Sequence, residues 1–197
     1  MKSIYIVLTK TNTALSRAIG VLTAEAYTHA SISMDSSLES LYTFSRLQPD
    51  RPLPAGFTTE SPYSGYMGLH PDTACEVYEL KIANSAYYRM QRKLNWMKTN
   101  ADMYRYSLLG TLYCMFHIKH KRPKHYFCSQ FIGELLKESG AAMLPKHESL
   151  MHPVDYRSMP ECKLIYHGNI HGLATYYIRR MNTVNAPAPE LSFRVMA

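Results

Sequence analysis

Residues 28–46 read Thr28-His29-Ala30-Ser31-Ile32-Ser33-Met34-Asp35-Ser36-Ser37-Leu38-Glu39-Ser40-Leu41-Tyr42-Thr43-Phe44-Ser45-Arg46. Ala30, Ile32 and Met34 alternate with His29, Ser31 and Ser33, the two-residue period of a strand with unlike faces. Asp35 to Ser40 is turn-like, and Leu41-Tyr42-Thr43-Phe44-Ser45 alternates again, so the stretch reads as a β-hairpin. Aligning the apolar sets opposes Ala30 to Phe44 and Ile32 to Tyr42. Ser45 then faces His29 and Thr43 faces Ser31. A register two residues longer puts Leu47 opposite His29 instead.

The chain on either side fits an α+β arrangement. Residues 4–9 are rich in Ile, Tyr, Val and Leu and read as a strand. Thr11-Asn12-Thr13 offers N-caps for a helix carrying Ala14, Leu15, Ala18, Ile19 and Leu22 at helical spacing. Residues 47–74 hold five of the eleven prolines, with Gly56, Gly65 and Gly68, and read as a long loop of the kind that covers a binding cleft. A strand follows from Cys75 to Ile82, then a helix over 86–99 capped by Ser85. A second helix spans Ser107 to Phe116, and a basic loop follows from His117 to His125. Phe127-Cys128-Ser129-Gln130 opens a further helix with Phe131, Ile132, Leu135 and Leu136 on one stripe and Gly140 as its stop. Residues 162–167 are strand-like. Residues 1–181 read as one domain and 182–197, with Ala-Pro-Ala-Pro, as a tail.

Composition narrows the function classes. The chain has 197 residues, 46% hydrophobic and 19% charged, which suits one packed domain and argues against intrinsic disorder. No apolar run approaches the ~20 residues a membrane-spanning helix needs. The first residues read as a strand rather than a signal peptide, so a cytoplasmic location is expected. The formal charge of +7 favours anionic partners or surfaces in general. Cys75, Cys114, Cys128 and Cys162 include no C-x-x-C pair and are expected as separate thiols.

Two of these residues carry potential chemistry. Cys128 lies at the expected N-terminus of a helix, where the macrodipole and free N–H groups favour a thiolate. His29 begins a strand, on the face away from the apolar set. A thiolate beside an imidazole suits nucleophilic acyl transfer, and the same N–H groups suit an oxyanion.

The residues around both also carry a family resemblance. Tyr27-Thr28-His29-Ala30-Ser31-Ile32-Ser33-Met34-Asp35 is similar to the histidine strand of the circularly permuted papain-like proteins, and Tyr126-Phe127-Cys128-Ser129-Gln130-Phe131-Ile132 resembles their cysteine helix. These proteins form the branch of the NlpC superfamily that contains YiiX-type proteins and lecithin–retinol acyltransferase. In that branch the histidine precedes the cysteine, as it does here. The likeness extends from residue 1 to about 170. It implies a permuted papain-like (NlpC-type) fold, with an antiparallel sheet packed against helices. It implies a cysteine hydrolase or acyltransferase acting on a peptide, amide or ester bond, with Cys128 as nucleophile, His29 as general base, and no metal or organic cofactor. The family places a polar group on the next strand to orient the imidazole; the hairpin register offers Ser45, with Thr43 behind it. Gln130, Tyr27 and Thr43 are the candidates for substrate contact.

Three other readings compete. His117, His120, His125 and Cys128 lie close enough in sequence to supply metal ligands. Lys119 to Lys124, with Tyr126 and Phe127, offers phosphate contacts and base stacking, although nucleic acid is the less favoured partner. A papain-like scaffold can also serve as a non-catalytic binding protein.

Overall fold

The computed structural model of the chain describes residues 1–10, 26–48 and 51–184. The helix expected at 14–22 lies outside the described residues, as do 185–197. Six strands form one sheet: β1 (Lys2–Thr9), β2 (His29–Ser33), β3 (Leu41–Gln48), β4 (Arg51–Glu60), β5 (Ala74–Ile82) and β8 (Lys163–Asn169). Their spatial order is β4-β3-β2-β1-β5-β8, and every neighbouring pair is antiparallel. A two-residue parallel ladder joins β6 (Arg105–Tyr106) to β7 (His125–Tyr126). The helices are α1 (Gly65–Leu69), α2 (Asn84–Thr99), α3 (Leu108–Met115), α4 (Cys128–Ser139) and α5 (Ile170–Val184). The protein is therefore α+β, a mainly antiparallel sheet packed against helices.

Strand alternation builds two cores. Ile4, Ile6, Leu8, Ala30, Ile32, Phe44, Phe57 and Leu80 point to one face, where Met90, Leu94 and Met97 of α2 and Phe131, Ile132, Leu135 and Leu136 of α4 cover them. Tyr5, Val7, Cys75 and Val77 point the other way, onto Met67 of α1 and Ile170, Leu173 and Tyr177 of α5. Phe44 sits at the centre of the first core, with its ring 5.2 Å from those of Tyr126 and Phe131 and 5.7 Å from that of Phe57. Ile32 pairs with Tyr42, the expected hairpin register.

Three boundaries differ from the sequence reading. The supposed loop at 47–74 contains β4 and α1. β4 is an edge strand, where Pro52 and Pro54 remove N–H groups that the sheet does not need. The helix after β5 begins at Asn84 with Ala83 as its N-cap, so Ser85 lies inside the first turn instead of capping it. Finally, α5 continues to Val184, past Asn182, where the tail was expected to begin. The stop at Gly140 is as expected: it takes φ +66°, and the N–H of Ala141 returns to the Leu136 carbonyl at 2.9 Å.

Gly56 marks a close approach between β4 and the chain leading into β6. A Cβ there would lie 2.6 Å from the Tyr104 carbonyl oxygen, a backbone atom that cannot swing aside. Gly56→Ala is expected to destabilise the fold by about 1–3 kcal/mol, read as a lower urea midpoint at unchanged slope.

Candidate active site

α4 begins directly at Cys128, preceded by Phe127 in an extended conformation with no side-chain cap. Its first turn is held from a distant segment: the Ser129 hydroxyl donates to the Met151 carbonyl at 2.6 Å, and the Tyr156 hydroxyl donates to the Ser129 carbonyl at 2.6 Å. Tyr156 is completely buried, so this fastening is shielded from water. The helix start is thereby fixed against the end of the sheet where β2 begins.

There the β2–β3 ladder is reduced to the single Ile32–Tyr42 pairing. The backbone of Ala30 finds other partners. Its carbonyl accepts from the Thr43 hydroxyl at 2.7 Å, and its backbone is among the groups that favour a charged Cys128 sulfur. The backbone of Ser129 acts on the same sulfur in the same sense, and the His29 imidazole is the strongest of the groups that favour its charge. The sequence-predicted pair, 99 positions apart (128 − 29), is thus close enough for each group to shift the ionisation of the other.

The alternation that turns Ala30, Phe44 and Phe57 into the first core turns His29, Ser31, Ser45 and Glu60 to the opposite face. Glu60 Oε2 lies 3.0 Å from His29 Nε2. The same oxygen accepts from the Ser31 hydroxyl at 3.3 Å, and Glu60 Oε1 accepts from the Ser45 hydroxyl at 2.7 Å. Ser45 was expected to orient the imidazole itself. It instead holds the carboxylate that does so, one bond further out. The imidazole is partnered by a charge rather than a hydroxyl, which makes the hydrogen bond stronger and favours the imidazolium.

The electrostatics follow from these contacts. Burial disfavours the charged form of His29, but the Glu60 carboxylate and the hydrogen bonds to Cys128 and Glu60 outweigh it and raise the imidazole to about 10. Burial likewise opposes ionisation of Cys128. The His29 hydrogen bond and charge, with the two backbone N–H groups, reverse that and bring the thiol below its ordinary value. Glu60 is held below the usual carboxylate range for the matching reason: His29 and the two serine hydroxyls overcome its burial. Cys75 and Cys162 have no such partner, and burial pushes each thiol up to about 12. Of these thiols only Cys128 is biased toward thiolate.

The remaining candidates are placed otherwise. Gln130, a candidate for substrate contact, is 1% exposed. Thr43 is fully buried and spends its hydroxyl on the Ala30 carbonyl. Tyr27 lies under the Arg157 guanidinium, and burial with the nearby Glu76 charge pushes its hydroxyl up to about 12. All three side chains are buried. The residues offered as metal ligands are not brought together. Among the described residues no group of three or more His, Cys, Asp or Glu side chains converges as a metal site requires. His120 instead stacks on Tyr113, and His125 Nδ1 lies 2.9 Å from the Pro123 carbonyl. Tyr126 and Phe127, offered as base-stacking groups, are buried at 9% and 4% exposure.

The sequence reading missed Glu60. The signal lay in Phe57-Thr58-Thr59-Glu60, a β-rich end to a segment whose prolines made it read as loop. In comparison with known proteins, the chain matches no family model and no curated protein.

Proposed function

We propose that the protein is a cysteine hydrolase or acyltransferase on a permuted papain-like scaffold. Its substrate carries an amide, peptide or ester carbonyl. The observation that supports this is the chain of contacts from the Cys128 thiol at a helix N-terminus, through the His29 imidazole, to the Glu60 carboxylate. With the Nε2 proton committed to Glu60, the other ring nitrogen is the one that exchanges a proton with the sulfur. The thiolate attacks the carbonyl carbon, forming a C–S bond, and the carbonyl electrons move onto oxygen. The backbone N–H at the start of α4 stabilises that oxyanion. The C–N or C–O bond then breaks as the His29 imidazolium returns its proton to the leaving group. Water or another nucleophile, deprotonated by the same imidazole, releases the acyl group from sulfur. The residues present carry this sequence without a cofactor.

Incubation with p-nitrophenyl acetate tests the reading. Intact mass is expected to rise by one acetyl group, mapped to the Cys128 peptide, and the adduct is expected to decay on adding an amine or hydroxylamine. Acetylation confined to lysines, with Cys128 unmodified, would reject it.

A further inference from the structure

Helix α3 reads Leu108-Leu109-Gly110-Thr111-Leu112-Tyr113-Cys114-Met115. One side packs inward through Gly110, Thr111 and Cys114. Ser107 caps it by accepting from the Gly110 N–H at 3.0 Å. The other side carries Leu108, Leu109, Leu112 and, just past the helix end, Phe116, which share a face at helical spacing. They are 51%, 58%, 48% and 66% exposed, and Ile118 beyond them is 49% exposed. Scattered exposed leucines are ordinary, but five large apolar side chains on one short element form a patch that marks an interaction surface.

Charge identifies the partner. The patch runs directly into the basic loop, whose Lys119, Lys121, Arg122 and Lys124 are all exposed. Lys121 is turned back to the protein, with Nζ 2.7 Å from Glu134 Oε2 and 3.3 Å from Glu148 Oε1. That pin leaves the other three on the outside, and among the described residues none of them has an acidic partner. We infer that α3 and the adjoining loop dock onto an anionic phospholipid bilayer, with the leucines and Phe116 entering the acyl boundary and Lys119, Arg122 and Lys124 meeting the headgroups. A nucleic acid fits this face less well, because the neighbouring aromatic rings of Tyr126 and Phe127 are buried and a phosphate backbone leaves the apolar side uncovered. A second copy also fits less well, since pairing this face with itself offers the three cations no counter-charge. This inference does not depend on the acyl-transfer chemistry at Cys128.

Co-sedimentation with vesicles tests it, using phosphatidylcholine alone and phosphatidylcholine mixed with phosphatidylglycerol. The wild-type chain is expected to pellet with the anionic vesicles and to partition at least tenfold less onto neutral ones. Reversing Lys119, Arg122 and Lys124 together to Glu is expected to lower partitioning onto anionic vesicles about a hundredfold. L109E/F116E is expected to lower it at least tenfold at unchanged net basicity of the loop. Unaltered thermal melting and Cys128 alkylation in both variants would show that the fold and thiol persist. Three results would overturn the inference: no pelleting of the wild type at low salt, L109E/F116E binding as well as wild type, or vesicle-independent dimerisation that L109E/F116E abolishes. Tight duplex binding by the wild type, kept in L109E/F116E while vesicle binding is absent, would transfer the loop to nucleic acid.

Discussion

Replacing His29 with alanine is expected to slow iodoacetamide alkylation of Cys128 at pH 6 about a hundredfold. Cys128 is only 5% exposed, and burial by itself would push its thiol upward, as it does for Cys75 and Cys162. The imidazole's hydrogen bond and charge are the principal opposing influences. Removing them leaves the sulfur with the N–H groups of Ala30 and Ser129 and the positive end of α4. A rise of two units in the thiol corresponds to about 2.7 kcal/mol and to a hundredfold smaller thiolate fraction at any pH below both values. Peptide mapping of alkylation rates between pH 5 and 10 is the measurement. Cys75 and Cys162 serve as internal controls that stay unreactive through neutral pH. The two rate profiles should converge at alkaline pH, where both proteins hold thiolate. Equal Cys128 rates in wild type and variant at pH 6 would remove His29 from the activation of the thiol.

Glu60→Gln carries the second large effect, on stability and its pH dependence. The side chains of His29 and Glu60 are 11% and 18% exposed, so removing the carboxylate leaves an imidazolium largely out of water with only the Cys128 sulfur as a counter-charge. Breaking such a pair from one side is expected to cost about 3 kcal/mol near pH 6. His29 is raised from 6.5 to about 10 in the fold, so its contribution is complete below pH 6.5 and is lost as pH rises through about 10. Glu60 is lowered from 4.5, so its contribution is complete above pH 4.5 and is lost as pH falls through its lowered value. The stability gap between wild type and Glu60→Gln is therefore widest between about pH 4.5 and 6.5 and narrows on both sides. Urea melts of the two proteins across that range measure it. A gap of the same size at pH 6 and pH 10.5 would mean that the ion pair is not its source.

What the sequence made legible was what local periodicity controls. The two-residue alternation of 28–34 and 41–45 gave β2, β3 and their register, because a one-residue slip would exchange the buried and polar faces. The start of α4 at Cys128 and its stop at Gly140 followed from an apolar stripe and a residue able to take positive φ. The contact between His29 and Cys128 was reached through these placements together with the family resemblance, not from spacing alone. Glu60 was beyond local reach. Prolines that would forbid a central strand are tolerated at a sheet edge, and nothing in residues 51–60 declares which edge they occupy. Ser45 was placed in the right neighbourhood but given the wrong partner, since a register fixes which residues are near and not which polar atoms pair. The helical pattern of 107–116 likewise gave α3 but not the side left uncovered, which depends on what the rest of the chain brings against it.

The sparse rung between β2 and β3 ties the sheet to the sulfur. In an unbroken ladder the Ala30 amide would be satisfied by a neighbouring strand's carbonyl; here the backbone of Ala30 is one of the groups that favour a charged Cys128 sulfur. A thiolate is a strong acceptor, a neutral thiol a weak one, and an acylated sulfur weaker still, so each turn of the proposed cycle changes how strongly the sulfur draws on that backbone. The opening in the sheet is thus where the charge of the nucleophile meets the start of β2.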